Sequence, residues 1–265
     1  VVTGGSGGIG AAIARAFADK GARVLVAARS EEKLRAVSDR IVGDHLVVDL
    51  TDPDGVDSFV PRCLDVLGHI DVFVNNAGIE TNRSFAATPR DDLRRLARLN
   101  FEAPLLLTRD ALPHMLERNR GHIVQMASVA GAIPFPGLAA YAGSKAGLTN
   151  FTETLRIELK RTGVGLTVVS PGPVDTEMWD RLDHADNEFA GVGLTRFRRL
   201  GFLPKLEVGE IADATVRAVE TGQRFVRLPR RYGGYHVLSN APRRLVEGAL
   251  LGTRFPHEWT EEDAR

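Results

Sequence analysis

A single cysteine, Cys63, is all that the 265 residues contain. No intrachain disulfide can form, so disulfide-stapled scaffolds are excluded and a cytoplasmic, reducing location is expected. Cys63 falls within the stretch Val56 to Leu67 and reads as a small buried helical residue, not a nucleophile. Net charge is also missing: 34 Lys and Arg balance 34 Asp and Glu. That balance gives no electrostatic footprint for nucleic acid. No apolar run is long enough to span a bilayer, and no signal peptide is visible. The histidines are scattered, so no metal site is expected. Repeats, low-complexity tracts and clear linkers are absent, and a single domain over residues 1–265 is the expected organisation. Val1-Val2-Thr3 read as the tail of a strand already in progress, so a few residues are expected ahead of them.

Short apolar runs alternate with helical patterns through the first two-thirds of the chain. Strands are expected at Val1-Val2, Arg23 to Ala28, His45 to Val48, Asp71 to Val74, His122 to Met126 and Leu166 to Ser170. Helices are expected at Ile9 to Asp19, from Glu31 with Ser30 as its cap, and at Pro53 to Leu67. Further helices are expected at Arg90 to Arg98, Pro104 to Arg118 and Tyr141 to Lys160. A helix over Glu207 to Thr221 and a seventh strand over Arg224 to Leu228 complete the pattern. This alternation predicts an α/β fold: a doubly wound, Rossmann-type parallel sheet of about seven strands with helices on both faces. Ligands of such sheets bind at the carboxyl ends of the strands. Gly4 to Gly10, Arg29, Asp49, Asn75 to Gly78, Ser128 and Pro171-Gly172 all fall there.

Thr3-Gly4-Gly5-Ser6-Gly7-Gly8-Ile9-Gly10 joins a strand to a helix. Glycines let the backbone turn sharply and approach a pyrophosphate, which the helix N-terminus then receives. The end of the second strand reads the adenosine ribose. Ala27-Ala28-Arg29-Ser30 has no carboxylate there, and Arg29 suits the 2′-phosphate of NADP. NADP(H) is therefore expected in preference to NAD(H). Ser30 either adds a hydroxyl to that phosphate or only caps its helix. Asp49, before Leu50, either accepts from the adenine amino group or caps the helix after it.

Tyr141 and Lys145 are four apart and share one face of a helix, with Ser128 thirteen positions upstream. A phenol titrates near pH 10; a neighbouring ammonium is expected to lower that value. Bringing it down about three units takes roughly 4 kcal/mol of differential interaction. An isolated pair of this spacing is usually a polar surface, so its meaning depends on what surrounds it.

Together these residues resemble the short-chain dehydrogenase/reductase family. The resemblance rests on Thr3-Gly4-x-x-x-Gly8-Ile9-Gly10, Asn75-Asn76-Ala77-Gly78, Asn100, Ser128, Tyr141-x-x-x-Lys145 and Pro171-Gly172-Pro173-Val174-x-Thr176. It covers residues 1–176, in the family's order and spacing. It implies Tyr141 as acid/base and Ser128 as the donor that orients the carbonyl. It implies Lys145 as the residue that binds the nicotinamide ribose and lowers the Tyr141 pKa, and Asn100 as the holder of a relay water. By the same resemblance Gly4, Ser6, Gly8, Ile9, Gly10, Arg29, Ser30, Asp49, Leu50, Asn76, Ala77, Gly78, Tyr141 and Lys145 line the cofactor. Pro171 and Gly172 turn over the nicotinamide, and Val174 and Thr176 hold its carboxamide. Asn76 also has a structural reading, bracing the sheet edge. Gln125-Met126-Ala127-Ser128 departs from the family's usual Asn-x-Ser-Ser but keeps the serine.

The implied activity is carbonyl–secondary alcohol interconversion on a small, apolar molecule. Ile133 to Leu138, Glu80 to Phe85 and a lid over 177–206, with Met178, Trp179 and Phe189, are expected to line its pocket. Glu177 and His184 are expected to face solvent. The extension 229–265 is basic and apolar, with an amphipathic stretch near Ser239 to Leu251. Packing on protein is its expected role, with contact to an anionic membrane surface as the minority reading. The resemblance also implies a homodimer or homotetramer. The competing functions are an NAD-dependent alcohol dehydrogenase of the same fold and a dinucleotide-binding regulator without turnover.

Overall fold

The computed structural model describes residues 1–81, 85–133, 137–174 and 205–229. Thr176, the lid residues 177–204 and the extension from 230 lie outside the described residues.

Seven strands form one parallel sheet: β1 (Val2–Thr3), β2 (Leu25–Ala28), β3 (Asp44–Val47), β4 (Val72–Asn75), β5 (Gly121–Met126), β6 (Val164–Pro171) and β7 (Phe225–Leu228). Their order is β3-β2-β1-β4-β5-β6-β7, every neighbouring pair parallel. The chain winds outward from β1 to β3, then returns to place β4 on the other side of β1. The crevice between the carboxyl ends of β1 and β4 is thus the topological switch point, where such sheets bind ligands.

The helices are α1 (Gly8–Asp19), α2 (Glu31–Ile41), α3 (Pro53–Asp57), α4 (Phe59–Leu67), α5 (Arg90–Ala97), α6 (Ala103–Glu117), α7 (Ala139–Glu158) and α8 (Val208–Thr221). Successive strand side chains point to opposite faces, so each apolar strand feeds two cores. Leu25, Ala27, Phe73 and Ile123 join Phe59, Cys63, Leu107 and Met115 from α4 and α6 on one face. Val26, Val74 and Val124 join Ile13, Leu34, Ile211 and Ala218 from α1, α2 and α8 on the other. Phe59 and Phe73 meet edge to face at 6.2 Å and 78°. Cys63 is fully buried and burial pushes its thiol up to about 12, in keeping with a packing role.

Two elements differ from the sequence expectation, both because of proline. The helix expected over Pro53 to Leu67 is two helices meeting at Ser58. Pro61 offers no N–H to the Asp57 carbonyl four residues back, and its ring crowds that carbonyl. Between α5 and α6, Arg98–Glu102 form a π-helical turn. Pro104 likewise cannot donate to Asn100, so the regular ladder is interrupted there and widens.

Candidate active site

The loop after β1 is built by geometry that only glycine meets. Gly4 lies at φ +65°, in the left-handed region. A Cβ on Gly10 would overlap the Gly4 carbonyl oxygen and crowd Asn76 Nδ2. α1 starts at Gly8 with Gly7 as its N-cap and no side-chain cap. A Cβ on Gly7 would meet nothing within 4 Å. The N-cap position of α1 therefore borders open space, and a glycine loop opening a helix there fits a pyrophosphate. Ser6 is half-buried in the same turn, and Ile9, in the first turn of α1, packs on the core.

Thr3 ties this loop across the switch point. Its hydroxyl donates to the Val74 carbonyl at 3.2 Å and accepts from the backbone N–H of Asn76 (3.0 Å) and Ala77 (3.1 Å). Asn76 Nδ2 donates back to the Thr3 carbonyl at 2.9 Å and the Gly4 carbonyl at 3.3 Å. Asn76 thus braces the two strand ends, the structural of its two expected roles. Deeper under α6, buried Thr108 accepts from Asn75 Nδ2 at 3.2 Å and Gln125 Nε2 at 2.8 Å. These two amides are cross-strand partners, and sequence reading assigned them no role.

At the carboxyl ends of β2 and β3, Arg29 Nη1 stands 4.0 Å from Asp49 Oδ2, both side chains partly exposed. Asp49 Oδ1 accepts from Thr51, from its N–H at 2.9 Å and its hydroxyl at 2.7 Å. Burial works to raise the Asp49 carboxyl, but the Thr51 bonds and the Arg29 and Arg95 charges hold it below the ordinary range. Ser30 is the N-cap of α2, accepting from Lys33 N–H at 3.4 Å. Its cap reading is the one realised. Leu50 is buried in the core.

The second half of the site sits on the ends of β4, β5 and β6. Ser128 opens a short 3-10 turn, Val129–Gly131, and accepts from Ala130 N–H at 3.1 Å. Gly131 lets that turn lie directly on α7: a Cβ there would come 2.9 Å from Ala146 N and Lys145 C. This glycine, unremarked in the sequence, seats the turn opened by Ser128 against the helix that carries Tyr141. Lys145 is buried; its Nζ donates to the Met126 carbonyl at 2.7 Å and lies 5.8 Å from the Tyr141 ring centroid. A side chain at Gly78 would meet Asn100 Oδ1 at 3.2 Å and Lys145 Nζ at 3.4 Å.

Asn100, fully buried in the π-helical turn, grips the backbone of Ile79 from both sides. Its Oδ1 accepts from Ile79 N–H at 2.9 Å, and its Nδ2 donates to the Ile79 carbonyl at 2.7 Å and to Ser144 Oγ at 3.3 Å. The side chain is therefore engaged in fixing the β4 loop against α7. Pro171 ends β6, Gly172 N–H donates to the Leu228 carbonyl at 2.7 Å, and Val174 makes a parallel bridge to Leu206. Phe135, Met178, Trp179, Phe189, Glu177 and His184 lie outside the described residues, whereas Ile133, Leu138 and Phe85 are described.

One electrostatic expectation is overturned in direction. Burial raises Tyr141 to about 12; the Ser128 hydroxyl works against this and the Glu80 charge adds to it. Burial also lowers Lys145 to about 8. The low-dielectric site disfavours both ions, and the ammonium is directed to the Met126 carbonyl instead of the phenol oxygen.

A profile of the family described as short chain dehydrogenase matches residues 1–187. An uncharacterized oxidoreductase of Staphylococcus epidermidis is 33% identical over 221 residues, covering 83% of this chain and 89% of that protein. A metagenomic short-chain oxidoreductase, solved in complex with NADP, superimposes with a TM-score of 0.69 at 33% identity, covering 86% of this chain and 93% of that one. A short-chain dehydrogenase from Sphingobium yanoikuyae, solved with NADPH, gives a TM-score of 0.78 at 26% identity, covering 98% of each chain. The chain belongs to the short-chain dehydrogenase/reductase family and is an NAD(P)-dependent oxidoreductase.

Proposed function

We propose that this short-chain dehydrogenase/reductase interconverts a carbonyl compound and a secondary alcohol with NADP(H), using Tyr141 as acid/base. The observation that carries the reading is the buried Lys145 ammonium 5.8 Å from the Tyr141 ring, with the Ser128 turn packed on the same helix. When bound, the nicotinamide supplies or accepts the hydride. Ser128 and Tyr141 donate hydrogen bonds to the substrate oxygen as negative charge grows on it, and Tyr141 gives up its proton. A phenol raised to about 12 is protonated throughout the neutral range, the state needed for reduction. Lys145, brought to about 8, exchanges its own proton near neutral pH and is suited to recharge Tyr141. It also binds the nicotinamide ribose. Asn100 lies in a widened helical turn whose carbonyl Pro104 cannot serve, which supports its role as holder of a relay water.

The glycine loop holds the pyrophosphate, Arg29 the 2′-phosphate, and Asp49 with Leu50 the adenine. Gly172, Val174 and Thr176 hold the carboxamide. The NADP and NADPH complexes of the two similar structures support this cofactor. A lid over 177–206, an extension over 229–265 that packs on protein, and a cytoplasmic homodimer or homotetramer complete the proposal. Among the described residues no helix is long and apolar enough to cross a membrane.

The test is NADPH oxidation with a panel of ketones, comparing wild type with Tyr141→Phe. The variant is expected to lose about 10²- to 10⁴-fold in kcat/KM while binding NADPH as before. Two equally inert proteins that both bind NADPH tightly would point instead to a regulator.

A further inference from the structure

Tyr141 stands where a helix is least secure. It is the third residue of α7, ahead of the first intrahelical bond, which runs from Ala142 N–H to the Leu138 carbonyl at 2.7 Å. Leu138 is the N-cap and makes no side-chain cap bond. The Tyr141 backbone is tied down through its carbonyl instead, to which Ser144 Oγ donates at 2.7 Å. Ser144 is in turn held by Asn100, 44 positions away in sequence, at 3.3 Å. The direction of these bonds is forced. Asn100 Oδ1 accepts from Ile79 N–H, so it is Nδ2 that meets both the Ile79 carbonyl and Ser144. Nδ2 can only donate, so Ser144 Oγ accepts there and gives its single hydrogen to the Tyr141 carbonyl. Asn100 is fully buried and bonded to both polar groups of Ile79, which makes it an anchor outside α7.

We propose that Ser144 is a positioning residue for Tyr141, its hydroxyl fastening the first turn of α7 to Asn100 in place of the missing cap. This rests on the reading of Tyr141 as acid/base. A serine bonded back to its own helix is by itself close to neutral for that helix. The value of this one lies in its second bond, which leads off α7 to the clamp on the β4 loop. Without it the uncapped turn is free to fray, and the phenol would move relative to the Ser128 turn and Lys145. Proton transfer needs the phenol within hydrogen-bond reach of the substrate oxygen, so a shift of about 1 Å there is costly. Such a loss falls on the chemical step and leaves binding nearly as it was.

Ketone reduction with NADPH is compared in wild type, Ser144→Ala and Ser144→Thr, beside amide hydrogen exchange of the same full-length proteins. Ser144→Ala is expected to lose about tenfold in kcat, with KM for ketone and NADPH changed less than about twofold. Exchange at the Ala142 and Lys145 amides, on either side of the hooked carbonyl, is expected to quicken about tenfold, while that of Thr152 deeper in α7 stays as it was. Ser144→Thr keeps the hydroxyl and can make the same back-bond, so both readouts should stay within about threefold of wild type. Across the three proteins kcat is expected to fall as this local exchange rises. A wild-type kcat in Ser144→Ala overturns the proposal. So does a kcat that falls while exchange at Ala142 and Lys145 stays slow, the pattern of a packing role alone. If wild type reduces no ketone, the acid/base reading fails, and exchange alone decides the role of Ser144. Equal protection of Ala142 and Lys145 in wild type and Ser144→Ala then overturns it.

Discussion

Residue by residue, the deeply buried ionisable groups of this chain are set by burial more than by their charged neighbours. His122 shows this away from the site. It is buried on β5, and its Nε2 lies 2.8 Å from Thr167 Oγ1. The Thr167 hydroxyl donates to the Gln223 carbonyl at 2.7 Å, so the imidazole must carry its proton on Nε2. A Cβ at Gly165 would overlap Nδ1, so that side is tightly closed. Burial, helped by the Arg156 charge, lowers His122 to about 4. In the unfolded chain it takes up a proton near pH 6.5. The stability it contributes is thus full above pH 6.5 and is lost as pH falls through 4, roughly 3 kcal/mol at most. Urea midpoints of wild type should fall across that window more steeply than those of His122→Asn. Equal slopes would mean that the imidazole already titrates normally in the fold. Tyr141 and Lys145 obey the same rule. Their i, i+4 spacing was legible, but the direction of the phenol shift was not. Desolvation depends on what covers a residue, and sequence spacing carries no record of that.

At the scale of elements, the strand–turn–helix units are where legibility was highest and where single substitutions should be most local. Gly10 belongs to the glycine loop by pattern, and the structure gives the reason: its α-carbon lies against the Gly4 carbonyl and Asn76. Gly10→Ala would force the loop off its bracing amide. NADPH affinity is expected to drop about tenfold or more, with a loss of about 1–3 kcal/mol in stability. Fluorescence titration and urea unfolding would read the two effects, and undiminished NADPH affinity would show that the loop does not cradle the cofactor. The inner strands β1, β2, β4, β5 and β6 were visible as apolar runs because both faces of a parallel sheet are buried. The break at Ser58 was not, nor was the π-helical turn that fills the expected gap between Arg98 and Pro104. Pro61 and Pro104 were in plain view, but whether proline ends, kinks or widens a helix depends on the packing around it. Packing also explains Gly131, a residue with no distinguishing local pattern that sets the approach of Ser128 to α7.

For the molecule as a whole, the crevice between β1 and β4 gathers residues from both halves of the winding. Arg29 on one side and Lys145 on the other are brought to the same sheet edge by crossovers, not by proximity in sequence. If the Arg29 end selects the 2′-phosphate, Arg29→Asp should move the kcat/KM ratio of NADPH to NADH by about 10²-fold toward NADH, through lost charge-assisted bonds and new repulsion. A ratio indifferent to the swap would contradict NADP(H) preference. The sequence by itself determined the layered α/β plan and the glycine loop, and it singled out Ser128, Tyr141 and Lys145 as the residues to place. Those depend on periodicity and on residue types whose chemistry has few substitutes. Only the tertiary structure decided that Asn76 and Thr3 lock the switch point, that Asn100 clamps Ile79, and that Lys145 points at the Met126 carbonyl. Each of these is a contact between residues tens of positions apart, and such contacts exist only once the sheet has brought its strand ends together.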